Sequence, residues 1–273
     1  MSSWRRVPSQ KRAPATLVIS SEGGFFSCCS VRLEKIIEYF SALTRPPTQI
    51  DSSQQFALYR PTVVQTEADS SSEKFIEEFF VPKVNGRINF HHKIAFQQSD
   101  QFTDYRTLAL VDILPFVRRY FTISAAIEQL VASLEKKYAI NYKNTCVLFY
   151  KANSQCAPYE EYLARARGVL AQNPMTRFLI QSDETEFIDA MTSLPNSFYF
   201  IDETRSIPRC STSVDLVNPP ENYQYALQFL AIMIIMSRCS SIIMGSGNCS
   251  LWIVLFRGGA SGVQQYLGGK WLA

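Results

Sequence analysis

The residues best placed to do chemistry stand at Gly245-Ser246-Gly247-Asn248, between a β-prone run, Ser241 to Met244, and an apolar stretch that closes at Gly258-Gly259. A glycine loop that opens a helix leaves the first N–H groups without intrahelical partners, and the helix dipole favours negative charge there. A phosphate or pyrophosphate is the natural occupant of such a cradle. A tight turn between two core elements is the plain alternative. Carboxylates follow two other apolar runs. Glu22 comes after Thr16 to Ser20, in a loop where it is a candidate base, a hydroxyl acceptor or a solvated residue. Asp183 and Glu184 come after Arg177 to Gln181, as acceptors for ligand hydroxyls or, with Ser182, as the cap and first turn of a helix. Lys151, at the end of Thr145 to Tyr150, adds a cation or is a surface lysine at a strand end.

These residues need a scaffold. The chain has 273 residues, 47% of them hydrophobic, enough for one large domain or two of ordinary size. A net charge of +3 with scattered basic residues gives no reason to expect nucleic acid. Residues 1–13 form a basic, Ser/Pro-rich start that reads as a disordered tail and lacks the apolar core of a signal peptide. Gln228, Ser237 and Arg238 interrupt the most apolar segment before it reaches the roughly 18 to 20 residues of a membrane span. A soluble, cytoplasmic protein is expected. The seven cysteines are odd in number, have no zinc spacing and sit mostly in apolar segments, which fits reduced, packed thiols.

Taken in order, Thr16 to Ser20 reads as a strand and Val31 to Phe40 as a helix, with a glycine turn between them. Gln55 to Tyr59 reads as a second strand stopped at Pro61, and Glu67 to Glu73 as an acidic, mobile stretch. His91 and His92 are adjacent on a further β-prone run, so they face opposite ways and suit one metal poorly. The exposed one is a candidate contact to a substrate hydroxyl. Helices are expected over 105–120 and over 124–138, the second capped by Ser124. Beyond residue 140, strands at 145–150, 177–181, 197–200 and 241–244 alternate with helices at 159–171, 184–191 and 225–236. That alternation predicts a parallel, doubly wound α/β sheet with its ligand at the carboxyl ends of the strands. Two such halves, an N-terminal domain over 14–140 and a C-terminal domain over 141–273, would face each other across a cleft.

Three stretches, in this order, resemble the carboxyl-terminal domain of the GT-B fucosyltransferase-like glycosyltransferases, which include the α-1,6-, protein O- and nodulation fucosyltransferases. Val147 to Asn153, with Ala157 to Tyr162 after it, is similar to that family's strand ending in His-x-Arg-Arg-x-Asp and the helix that follows. Phe178 to Glu184 is similar to its strand ending in Thr-Asp-Asp, and Gly245 to Asn248 stands in the place of its Ser-Ser-Gln loop. The loop from Glu22 to Cys28 is similar in position to its glycine-rich donor loop. The overall look is closest to small glycosyltransferases of large DNA viruses of algae.

The resemblance implies a GT-B-like fold of two Rossmann-like domains facing a cleft. It implies transfer of a sugar, with inversion, from a nucleotide-diphosphate donor to the hydroxyl of a glycan or glycoprotein. On the donor it would place Gly23, Gly24, Lys151, Asn153, Ser182, Asp183, Glu184, Ser246, Gly247 and Asn248, with His91 and His92 toward the acceptor. The base would be Glu160, in the neighbourhood of the family's catalytic glutamate, or Glu22. Two departures stand out. The family's arginine is Lys151, which keeps a point charge without the bidentate fork, and its aspartate is Asn153. Both point away from GDP-fucose, so UDP-xylose is the first donor expected and GDP-fucose the next. The sequence has no Asp-x-Asp metal motif, so a metal-free, cofactor-free reaction is expected. The rival reading is a non-catalytic glycan- or nucleotide-binding module. A kinase would need a Gly-x-x-x-x-Gly-Lys-Ser/Thr loop, which is absent.

Overall fold

A computed structural model describes residues 16–61, 72–83, 88, 93–152, 156–210 and 212–273. The expected tail, the acidic stretch up to residue 71, Asn153 and both histidines lie outside the described residues.

The chain opens with β1 (Thr16–Ser20), α1 (Phe25–Leu43) and β2 (Gln49–Gln54). β1 and β2 pair in parallel as a two-stranded sheet, so α1 is the crossover of a β-α-β unit. α1 starts six residues before the sequence expectation. Gly23, at φ 117°, turns the chain, and the aromatic pair Phe25-Phe26 that follows is buried in the first helical turn. The second strand also differs from the expectation, falling at 49–54 and not at 55–59. Phe56 adopts a left-handed φ of 60° and leads into a 3-10 turn, Ala57–Tyr59, which buries both aromatic rings. The strand itself is polar but keeps the period of two, with Ile50 and Ser52 turned inward. Then come α2 (Ser72–Phe79), α3 (Leu110–Tyr120) and α4 (Ala125–Lys137). Tyr105–Thr107 forms a separate 3-10 turn with Asp104 at its cap, so the helix expected over 105–120 is divided. Ser124 does cap α4, its Oγ accepting the Ile127 N–H at 3.3 Å.

The rest of the chain is β3 (Thr145–Tyr150), α5 (Tyr159–Gln172), β4 (Arg177–Ser182), α6 (Thr185–Met191), β5 (Ser197–Phe198), α7 (Val214–Val217), α8 (Asn222–Arg238), β6 (Ser241–Gly245), α9 (Asn248–Arg257), β7 (Val263–Leu267) and β8 (Lys270–Leu272). The six strands lie in the order β5-β4-β3-β6-β7-β8, all parallel except the last pair. The expected α/β class with parallel sheets is what the chain forms. The β7–β8 hairpin has no counterpart in the sequence expectation; it closes at Gly268 and Gly269, whose φ values are 57° and 82°. The chain moves outward from β3 to β5, returns through α8, and enters β6 on the other side of β3. The switch point of the sheet therefore lies between β3 and β6, where strand order reverses and a crevice opens.

Both faces of this sheet are covered, which is why its central strands read as unbroken apolar runs. Val147, Phe149, Leu179, Ile242 and Met244 face α8 and α9, and the intervening Cys146, Leu148, Phe178, Ile180 and Ile243 face α5 and α6. The first of these clusters continues past residue 140 into α1, α3 and α4. Trp252, in its centre, packs 4.7 Å from Phe121, and its indole N–H donates to Ser30 Oγ at 3.0 Å. Ser30 in turn donates to Asn248 Oδ1 at 2.7 Å. Among the described residues no helix is long and apolar enough to cross a membrane.

Replacing Ser30 with alanine leaves the buried indole N–H without its partner, at a cost of about 1–3 kcal/mol. A urea midpoint lowered to that extent is expected for Ser30→Ala, and an unchanged midpoint would show that this bond does not hold α1 to α9.

Candidate functional site

The crevice at the carboxyl ends of β3 and β6 is a cavity of about 260 Å³, at the lower end of the size range of small-molecule sites. β3 delivers Lys151 to it, and β6 delivers the Gly245–Ser250 segment. The start of α1 faces the same space through Gly24 to Ser27. Tyr59, Asp215 and Tyr225 supply further polar groups, and Phe102, Phe149 and Phe229 supply apolar wall.

The glycine loop is held from behind. Ser246 is 1% exposed; its Oγ donates to the Tyr266 carbonyl at 2.7 Å and accepts from Gln265 Nε2 at 2.9 Å. The Gly247 N–H donates to the Tyr105 hydroxyl at 3.1 Å, and that hydroxyl donates to the Gln101 carbonyl at 2.9 Å. Gly247 itself sits at φ 154°, a conformation that side-chain-bearing residues avoid. The helix begins at Asn248, the last residue of the glycine loop. The Ser246 side chain and the Gly247 amide thus hold the loop in place, and both residues line the cavity. Asn248 likewise commits its Oδ1 to Ser30, and with the next two residues it forms the first turn of α9 and lines the cavity. Among the described residues no acceptor meets the N–H groups of Asn248, Cys249 and Ser250, and α9 has no side-chain cap.

Lys151 Nζ lies 2.7 Å from Asp183 Oδ2. Burial on its own would lower the lysine pKa, but the Asp183 carboxylate, with smaller pulls from Cys249 and Tyr225, more than offsets it and holds the ammonium above the ordinary lysine value. The other oxygen, Asp183 Oδ1, is buried with no hydrogen-bond partner. The adjacent acid goes elsewhere. Glu184 is 4% exposed, accepts from the Tyr159 hydroxyl and lies 3.8 Å from Arg209 Nε. It belongs to a separate cleft lined also by Glu160, Cys156 and Cys210. Ser182 is fully buried and accepts the Glu184 N–H at 2.9 Å, so it shapes the turn before α6. Glu160 is exposed in the first turn of α5, and Glu22 and Gly23 are exposed beside the cavity without lining it; Gly24 does line it. Among the described residues no group of three His, Cys, Asp or Glu side chains is arranged to hold a metal ion.

Three lining residues carry chemistry that the sequence reading missed. Tyr59 accepts the Phe25 N–H at 2.9 Å, and burial, with the Asp215 carboxylate second, raises its pKa far above the phenol value. Tyr225 is raised by burial against the opposing pull of Lys151. Asp215 lies in α7, between the strand expected at 197–200 and the helix expected at 225–236, where no element was expected. A signal was present there: Ser213 followed two residues later by an acid is a helix start, and Ser213 Oγ does accept the Asp215 N–H, at 3.4 Å.

No family model and no curated protein matches the sequence. Among solved structures, the chain is similar to NodZ alpha-1,6-fucosyltransferase soaked with GDP-fucose, with a TM-score of 0.47 and 10% identity over 88% of this chain and 92% of that one. The same enzyme co-crystallized with GDP gives a TM-score of 0.44 at 11% identity, over 88% and 92% of the two chains. At these scores the functional reading rests on the cavity itself.

The cavity also orders the thiols by reactivity. Burial pushes the Cys249 thiol up to about 12, whereas Cys210 is exposed. Brief iodoacetamide treatment followed by peptide mass spectrometry is expected to label Cys210 and spare Cys249. Equal labelling would contradict the burial of the Cys249 side chain.

Proposed function

We propose that this protein is a glycosyltransferase that takes a sugar from a nucleotide-diphosphate donor. The observation that carries the reading is the meeting, at the switch point of one sheet, of three unpartnered helix-start amides with a lysine held as ammonium. Sugar transfer breaks the bond between the anomeric carbon and the diphosphate, so negative charge grows on the leaving group. Donors fixed in advance around that position lower the barrier most effectively. The Asn248, Cys249 and Ser250 amides suit the phosphate oxygens, and the Lys151 ammonium neutralises them as a point charge. The start of α1 turns a second positive helix end toward the same space.

With those groups meeting the charge, the transfer is proposed to proceed without a metal and with inversion, onto a glycan hydroxyl. Lysine in place of a bidentate arginine favours a UDP-sugar, UDP-xylose first and GDP-fucose next. The Asp183 carboxylate sets the lysine in place and shares its charge with the incoming diphosphate. Such sharing limits affinity in exchange for a fixed geometry.

A thermal-shift panel of UDP- and GDP-sugars tests the reading, because a true donor raises Tm by mass action. Lys151→Ala is expected to weaken donor binding by roughly 10- to 100-fold, the worth of one charged hydrogen bond of about 1.5–3 kcal/mol. Lys151→Arg, which can keep the pair with Asp183, is expected to bind better than the alanine variant. No shift with any nucleotide sugar would overturn the proposal, and donor binding with no transfer to any glycan would favour the non-catalytic module.

A further inference from the structure

Asp215 is the one carboxylate among the described residues that lines the cavity. Its place is built and not incidental. The residue is 8% exposed, and its carbonyl accepts from Asn222 Nδ2 at 2.7 Å. The same amide nitrogen donates to the Leu58 carbonyl at 3.0 Å, and Asn222 is itself fully buried, its Oδ1 accepting from Arg205 at 2.7 Å. One asparagine thus ties α7 to the turn that carries Tyr59. The carboxylate end is aimed by Ser213, whose Oγ donates to Asp215 Oδ2 at 3.3 Å. That oxygen faces the start of α1, 3.8 Å from the point where a side chain on Gly24 would begin.

We infer that Asp215 is the catalytic base of the proposed transfer. The inference rests on the glycosyltransferase reading and adds to it the group that moves the proton. An Asp215 oxygen takes the proton of the acceptor hydroxyl while that oxygen's electron pair forms the new bond to the anomeric carbon. The bond from that carbon to the diphosphate breaks, and its electron pair leaves with the diphosphate toward the α9 amides and Lys151. The neutral carboxyl then returns its proton to solvent, so the products are the glycoside, the nucleoside diphosphate and one proton.

Four other titratable groups line the same cavity. Tyr59, Tyr225 and the Cys249 thiol are all held protonated by burial, and Lys151 is held charged. Arg205 donates to Asn222 Oδ1, and Asn222 in turn holds the Asp215 backbone carbonyl. Glu160 and Glu22, the bases that the sequence pointed to, do not line the cavity.

Asp215→Asn keeps the shape and the backbone lock. Its donor affinity, read by thermal shift, is expected to stay within about threefold of the parent. Its kcat is expected to fall by roughly 10²–10⁴, the usual contribution of a general base, and the acidic limb of the pH–rate profile is expected to vanish. Asp215→Glu is expected to recover part of the rate and that limb, which a purely structural role would not produce. An equally active Asp215→Asn, or a loss confined to KM, overturns the base while leaving the transferase standing. A parent protein that binds no nucleotide sugar removes both.

Discussion

The site depends on one physical condition: the first turn of α9 must present uncapped amides to the cavity while everything behind it is closed. A helix start normally satisfies its own amides with a Ser, Thr, Asp or Asn cap. Here Gly247 stands at that position and has no side chain to fold back. The loop before it would be loose without help, and the help comes from far along the chain. Tyr105 grips Gly247, Gln265 grips Ser246, and Ser30 links Asn248 to Trp252. Each contact leaves the first three amides of α9 alone.

The ion pair between Lys151 and Asp183 sets the charge of the same space. A half-exposed lysine paired at 2.7 Å brings little net charge to an empty cavity. Its value is positional, since it is already placed where a diphosphate would arrive. The orphaned Asp183 Oδ1 shows that the pair is not fully satisfied by the protein. A buried carboxylate oxygen without a donor is costly, and a ligand hydroxyl or a water placed beside it would remove that cost.

Much of this was legible in the sequence, for local reasons. The strand-to-helix alternation after residue 140, the glycine cradle and the cation after β3 are all written in short stretches whose neighbours in space are neighbours in sequence. The start of α1 was not legible, because Phe26 belongs both to a helix and to the packing between the two halves, while Phe25 packs on Phe56, Tyr59 and Phe79. The closing hairpin was missed because its role, holding Ser246 through Gln265, joins residues 19 positions apart. The choice among carboxylates was the hardest part. Glu160, Glu184 and Asp215 are all acids at helix starts, and which of them lines the cavity with Lys151 depends on the path of α5 and α7 around the sheet. α5 carries Glu160 into the neighbouring cleft, and Asn222 pulls Asp215 into the cavity.

The most direct measurement is the behaviour of three backbone amides on adding a nucleoside diphosphate. In ¹⁵N-labelled protein, the N–H groups of Asn248, Cys249 and Ser250 should exchange readily with solvent when the cavity is empty. Saturation with UDP or GDP should shift their resonances and slow their exchange, with the amides of the α9 interior unchanged. Binding of either nucleotide that leaves those three amides unmoved would place the diphosphate elsewhere and contradict the site described here.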